Sequence, residues 1–295
     1  MTSDEITSLG IAIDEAMFLV ASAVFLFELS VAAFNKRLKV RTFQDMFASI
    51  STQLPYLLVE IFILGGVYVG YVFISESFVT WTMPINAWTV IAALVASDFI
   101  YYWEHRFAHE VRLLWTQHAV HHSSRFMNVI VAIRFGPLEG AVSGIIHLPL
   151  VLLGFPPELV LFGIVTVLAY QGWIHTESIG RLGVLDRILN TPSNHRVHHG
   201  CDEKYLDKNY GGILIIWDRM FGTYQAEEEH PTFGLKRDFE SVNPFVVWIS
   251  EWPGLFRDLR SAANLSNALH VLFAHPDWVN RKSSVDVSSQ KMTLE

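Results

Sequence analysis

The sequence predicts an all-α fold, an integral-membrane bundle of about four to five apolar helices. Two observations predict it. Apolar residues make up 51% of the 295 residues and charged residues only 17%, whereas an ordinary soluble domain carries about 25% charge. The apolar residues also gather into four long regions, more than one soluble core could bury.

The first region, 11–34, has the length of a bilayer span, although it carries Asp14, Glu15 and Glu28. The second is "LPYLLVEIFILGGVYVGYVFI" at 54–74. The third is "AWTVIAALVASDFIYYW" at 87–103. The fourth runs over about 129–174 and is interrupted by "LLGFPPE" at 152–158. Its Gly and Pro residues predict a turn between two helices. A single membrane-embedded domain over 1–275 is expected, followed by a polar tail at 276–295.

Charge excludes some functions and sets an orientation. A net charge of −8 leaves no basic footprint for nucleic acid. Cys201 is the one cysteine, so neither an internal disulfide nor a Cys-based zinc site is available. The opening "MTSDEITSLG" has no basic region ahead of the first apolar run, so no cleaved signal peptide is expected. Lys36, Arg37, Lys39 and Arg41 follow the first region, and Arg106, Arg112 and Arg125 follow the third. The connections at 75–86 and 154–158 have no Lys or Arg. That alternation is the positive-inside pattern, and it predicts a cytoplasmic location for everything that follows the third region up to 128 and the fourth region.

Histidine is the residue that carries chemistry here. "HAVHH" holds His118, His121 and His122, and "HRVHH" holds His195, His198 and His199. His105 and His109 stand in "HRFAH", and His175 in "WIHTES". On a helix, spacings of three and four residues put these side chains on one face, so each stretch is expected to aim its imidazoles at one point. Imidazole is a poor core filler, and crowded imidazoles repel when protonated. A metal ion takes the neutral ring nitrogen and needs several converging. Nine exceed the roughly four to six ligands of one ion, so two ions with open positions are expected in a cytoplasmic His-rich helical cap. The two triplets would form the halves of a cage, joined by the hairpin that turns at "GFPPE".

Asp98 lies seven residues before His105 and eleven before His109 on the same face, and is expected to accept an imidazole N–H as an outer partner. Glu110 is the candidate catalytic, proton-handling group; the alternative is an i, i+4 pair with Arg106. His147, His230, His270 and His275 are expected to take no part.

These residues resemble the fatty acid hydroxylase superfamily, also called the sterol desaturase family. Its pattern is H-x3/4-H, H-x2-H-H and a later H-x2-H-H, matched here by His105/His109, His118/His121/His122 and His195/His198/His199. "SDFIYYWEHRFAHEVRLLWTQHAVHHSS" and "TPSNHRVHHG", followed by "DKNYGGILIIWDRMFGTY", resemble its core blocks over about 87–225, and "HPDW" at 275–278 more loosely. "HRFAHE" and "FGLKRDFESVNPF" are similar to a pterin-dependent branch that cleaves ether lipids. Some members carry a further His one turn before the residue matching His175; here it is Gln171, so a ten-His site is not expected.

The resemblance implies a non-haem di-iron oxygenase with two Fe ions, O2 and a membrane lipid as substrate. The chain shows no Gly-rich dinucleotide fingerprint and no haem domain, so electrons come from a separate donor, a reduced pterin or a reductase. Hydroxylation and desaturation both fit the scaffold. A membrane metal transporter is the reading from another class. It would place its ligands at the bilayer midplane within broken helices, whereas eight of the nine His lie just beyond the apolar runs.

Overall fold

The computed structural model describes residues 1–36 and 38–277, apart from the side chains of Leu54 and Pro55. Arg37 and residues 278–295, which make up most of the expected tail, lie outside the described residues. The helices are α1 (Ser3–Phe34), α2 (Val40–Phe78), α3 (Ala87–Glu110), α4 (Arg112–His122), α5 (Glu139–Leu152) and α6 (Pro157–Gln171). Five short ones follow: α7 (Pro192–His198), α8 (Ile216–Phe221), α9 (Pro244–Trp248), α10 (Trp252–Arg260) and α11 (Leu265–Phe273).

Helix α1 opens with a reciprocal cap. Thr2 Oγ1 accepts the Glu5 N–H, and the Glu5 carboxylate accepts the Thr2 N–H. At 1.5 Å per residue α1 is about 48 Å long, more than the roughly 30 Å hydrocarbon core. The outer faces of α1 and α2 are bare of protein: Phe18, Leu19, Ile61 and Phe62 are all exposed. Water would penalise such a surface, and lipid would cover it. These two, with α6 extended by a 3-10 turn to Ile174, are the three described helices long and apolar enough to cross a membrane. The chain is a multi-pass membrane protein.

The sequence boundaries shift at two places. Helix α3 runs seven residues past its apolar run and carries Asp98 and Glu104; it is not among the three. Residues 129–138 are a 3-10 turn, Val129–Ile133, and a loop rather than the start of a helix. Asn128 accepts the Ile130 N–H there and sets up the short turn.

Every crossing alternates between two ends. At one end the Met1 ammonium donates to the Ile85 carbonyl at 3.1 Å, Ser3 Oγ to Glu158, and the Met83 N–H to the Gly154 carbonyl. At the other end Glu28 accepts from Thr176 and the Val129 N–H, and Asp45 pairs with Arg134. Lys36, Lys39, Arg41, Arg106, Arg112 and Arg125 belong to this second end. Between the ends the helices pack closely. A Cβ on Gly163 would sit 2.1 Å from Ser97 Oγ, so only glycine lets α6 lie this near α3. Ile6, Ala93, Leu150, Leu159 and Phe162 fill the core beside that contact.

Candidate metal centre

The second end carries the histidines. His105 and His109 come from the last turns of α3, which emerges from the bundle into the cap. Helix α4 brings His118, His121 and His122. His175 follows the 3-10 turn after α6, and α7 with its C-cap brings His195, His198 and His199. Helix α7 has Pro192 at its first position, where a missing N–H costs nothing. It is clamped by buried Arg196, which donates to the carbonyls of Thr176 and Ile179 and doubly to Glu227. That clamp fixes α7 against the segment carrying His175.

The structure brings all nine imidazoles together in two groups. His105, His109, His118, His122 and His198 form one, and His121, His175, His195 and His199 the other; within each, the candidate ligand nitrogens lie within 4.8 Å of one another. In the first, His118 Nε2 lies 3.0 Å from His105 Nε2 and 3.2 Å from His122 Nε2. In the second, His175 Nε2 lies 3.1 Å from His121 Nε2 and 2.8 Å from His195 Nε2, with His199 Nε2 3.1 Å from His195 Nε2. The groups touch: the His122 and His199 rings stack with centroids 4.4 Å apart.

Each triplet is therefore split between the groups, which corrects the expectation that each stretch aims its imidazoles at one point. His118 and His122, one turn apart, go to the first group while His121 goes to the second. His195 and His199 go to the second while His198 goes to the first. Spacing sets the shared face, but α4 and α7 approach so that each face straddles both groups.

The donor set fits metal ions. Two nitrogens bound at about 2.1 Å and at right angles would stand about 3.0 Å apart, close to the separations found. His109 Nε2 and His198 Nε2 are buried with no hydrogen-bond partner, a costly state unless a metal takes them. Burial, with crowding by neighbouring imidazoles at most positions, pushes the nine below the ordinary histidine range. His109, His118 and His175 fall to about 4, and the other six are lowered well below 6.5. At neutral pH all nine are neutral, the form with a free lone pair.

The outer nitrogens of five of the nine are braced. His105 Nδ1 donates to the Tyr210 carbonyl at 2.9 Å, His198 Nδ1 to the Lys208 carbonyl at 3.1 Å, and His175 Nδ1 to the Gln171 carbonyl at 2.8 Å. His118 Nδ1 faces Glu139 at 3.3 Å and His109 Nδ1 faces Asp207 at 3.5 Å. Residues 207–210 thus supply three braces to one group. Asp207 and Asn209 both hold φ of +58° there, a conformation short polar side chains tolerate best. Burial raises the Asp207 carboxyl, but hydrogen bonds from His109 and His275 outweigh it and hold it below the usual carboxylate range.

Asp98 does not reach an imidazole. Its carboxylate accepts the Ile213 and Leu214 N–H groups and the Trp217 indole N–H at 2.6, 3.1 and 2.8 Å. It anchors the segment that follows Tyr210, so its effect on His105 runs through the backbone. Glu110 takes the ion-pair alternative, with Arg106 at 2.8 Å, and belongs to neither group. Glu139, Asp207 and His275 were missed by sequence reasoning. The "DKNYGG" run, with its turn-forming Asp and Asn, was the available signal for Asp207. Of the four His set aside, His147 is hydrogen-bonded inside the bundle to the Ser143 carbonyl, and His230 pairs with Glu177. None of the four joins a group.

A cavity of about 500 Å³ leads from the bundle to this centre. Met17, Phe18, Leu64, Leu161 and Leu168 line its apolar part, and His105, His118, His121 and His175 its inner wall. Asp14, Glu60, Glu104 and Glu139 also line it, and among the described residues no Lys or Arg does.

The fatty acid hydroxylase family pattern matches residues 90–223, which hold all nine histidines. Alkylglycerol monooxygenase of Homo sapiens is 37% identical over 279 residues, 91% of this chain and 60% of its own length. The chain belongs to the fatty acid hydroxylase family. Alkylglycerol monooxygenase of Danio rerio is 41% identical over 239 residues, 80% of this chain and 52% of its own. An ornithine lipid hydroxylase of Rhizobium tropici shares 39% over 141 residues, 47% of this chain and 42% of its own. The chain spans between half and two thirds of the length of these two monooxygenases. No solved structure matches it. The three histidine motifs and His175 all lie inside the stretch that matches the fatty acid hydroxylase family.

Proposed function

We propose that this protein is a membrane-bound non-haem di-iron oxygenase that hydroxylates a C–H bond of a neutral, ether-type lipid such as an alkylglycerol. The observation that carries the reading is the meeting of two buried, neutral imidazole groups with the inner end of an apolar cavity. His105, His109, His118, His122 and His198 would hold one iron, and His121, His175, His195 and His199 the other. Iron supplies the reduction of O2, which side chains cannot perform. The nine imidazoles would leave positions open on two ions held there, and Glu139 and Asp207, facing His118 Nδ1 and His109 Nδ1, would fix the orientations of those rings. The apolar wall seats the lipid chain and excludes water from the centre. By the positive-inside pattern, the cap faces the cytoplasm.

The carboxylates of the cavity support a neutral head group. A fatty acid or a phospholipid would bring its own negative charge against the Glu104 carboxylate, and like charges facing each other cost several kcal/mol. Hydroxyls can donate to the same carboxylate. Hydroxylation of the carbon next to an ether oxygen gives a hemiacetal, which breaks into an aldehyde and an alcohol. The 37–41% identity to alkylglycerol monooxygenases supports hydroxylation over desaturation.

The purified protein in detergent will contain close to two irons per chain and convert an alkylglycerol, O2 and a reduced pterin to a fatty aldehyde and glycerol. One zinc per chain, or an intact alkylglycerol, refutes the reading. Glu104→Gln will raise the binding of a fatty acid relative to an alkylglycerol of equal chain length by about tenfold, or about 1.4 kcal/mol, in a lipid-competition assay. Asp207→Asn will weaken iron retention against a chelator by about 10- to 100-fold, the usual cost of losing an outer partner.

A further inference from the structure

The imidazoles form a partition between two cavities. The apolar one reaches His105, His118, His121 and His175; a second, of about 310 Å³, reaches His109, His122, His198 and His199 from the cap side. No histidine lines both, and His195, fully buried, lines neither. The second cavity differs in chemistry. Its wall carries both signs of charge, as Lys236 with Asp277 at 3.0 Å, Arg237 with Glu251 at 2.8 Å and His275 with Asp207 at 3.1 Å. Trp115 lies in the same wall, its ring 5.2 Å from His109 and 5.7 Å from His122.

We infer that this second cavity binds a small, water-soluble organic reductant, which delivers electrons to the centre from the face opposite the lipid. The inference rests on the oxygenase reading above. One oxygen atom of O2 enters the lipid C–H bond, and the other leaves as water. The two electrons and two protons for that water come from the reductant, which is itself oxidised by two electrons. The cavity's size is at the lower end of small-molecule sites, about 300–1,000 Å³, and suits a solute rather than the surface of a donor protein. Paired charges of both signs offer donors and acceptors to a polar heterocycle. A lipid chain would strand those charges without water, so lipid stays in the first cavity and both substrates occupy the centre together.

Cys201 gives direct access to a test, because it lines the second cavity but not the first and is the one cysteine in the chain. The iron-loaded, oxidised protein is alkylated there with a bulky maleimide. Its anaerobic reduction by ascorbate or by a tetrahydropterin is followed by stopped-flow absorbance, and binding of a fluorescent alkylglycerol is measured in parallel. Labelling is expected to slow reduction at least tenfold and to change lipid binding less than twofold. Cys201→Ser is expected to reduce at one rate with and without the same reagent. Unchanged reduction after labelling overturns the inference, as does an equal loss of lipid binding. Failure of both reductants to reduce the unlabelled protein overturns it too, in favour of a protein donor. A purified protein without iron instead overturns the oxygenase reading.

Discussion

His121→Ala and His122→Ala, changes at adjacent residues, will each remove a different iron. His122 Nε2 converges with His118 Nε2, and His121 Nε2 with His175 Nε2. Each single variant is expected to fall from about two irons per chain to about one, with the loss of oxygenation exceeding the roughly 10- to 100-fold attached to an outer partner. The double variants separate the geometry from general damage. His121→Ala with His175→Ala strikes one group twice and should keep about one iron. His121→Ala with His122→Ala strikes both and should keep none. Elemental analysis gives the count, and Mössbauer spectra show whether the remaining iron sits alone. If the adjacent pair keeps one iron while the distant pair keeps none, the grouping is wrong.

That result would also mark the limit of what spacing reveals. The i, i+3, i+4 pattern placed three imidazoles on one face of α4 and three on α7, and the apolar runs located the ends from which both project. The basic residues at 36–41 and 106–125 located the shared end. The sorting of His121 away from His118 and His122 depends on the angle at which α4 meets α7. No local pattern encodes that angle; the buried Arg196 clamp, spanning to Thr176, Ile179 and Glu227, helps to set it. Outer partners were hidden for the same reason. Asp207 follows His198 by nine residues across a left-handed turn, and Glu139 arrives from α5 after the loop at 134–138. Asp98 was legible as an unusual carboxylate in an apolar run, but its partners stand 115 to 119 residues away.

Asp98→Ala will cost about 3–5 kcal/mol of stability and loosen iron at the first group. The carboxylate is 1% exposed and accepts from three donors, the Ile213 and Leu214 N–H groups and the Trp217 indole. Its removal leaves all three buried without a partner, at about 1–3 kcal/mol each before relaxation. The segment they belong to is held on its other side by Asp218, which accepts the Tyr210 and Gly211 N–H groups. Tyr210 in turn presents its carbonyl to His105. A Cβ on Gly212 would come within 2.7 Å of Asp98 Oδ1, so the backbone closes on the carboxylate with no room to spare. For a chain of this size the loss corresponds to a fall of about 10 °C in the thermal midpoint. Variants should be compared at one scan rate, since unfolding of such proteins is often irreversible. Asp98→Asn keeps the shape and one acceptor oxygen, and should recover part of both losses. Gly154→Ala supplies the contrast: it strains a turn of positive φ, with its Cβ 2.7 Å from the Trp81 carbonyl oxygen, at the end of the bundle opposite the histidines, and lowers the midpoint while leaving the 210–217 segment untouched, so iron affinity per folded molecule should stay unchanged. An Asp98→Ala protein that loses stability but binds iron as tightly as Gly154→Ala does would show that the segment after Tyr210 holds its place without the carboxylate.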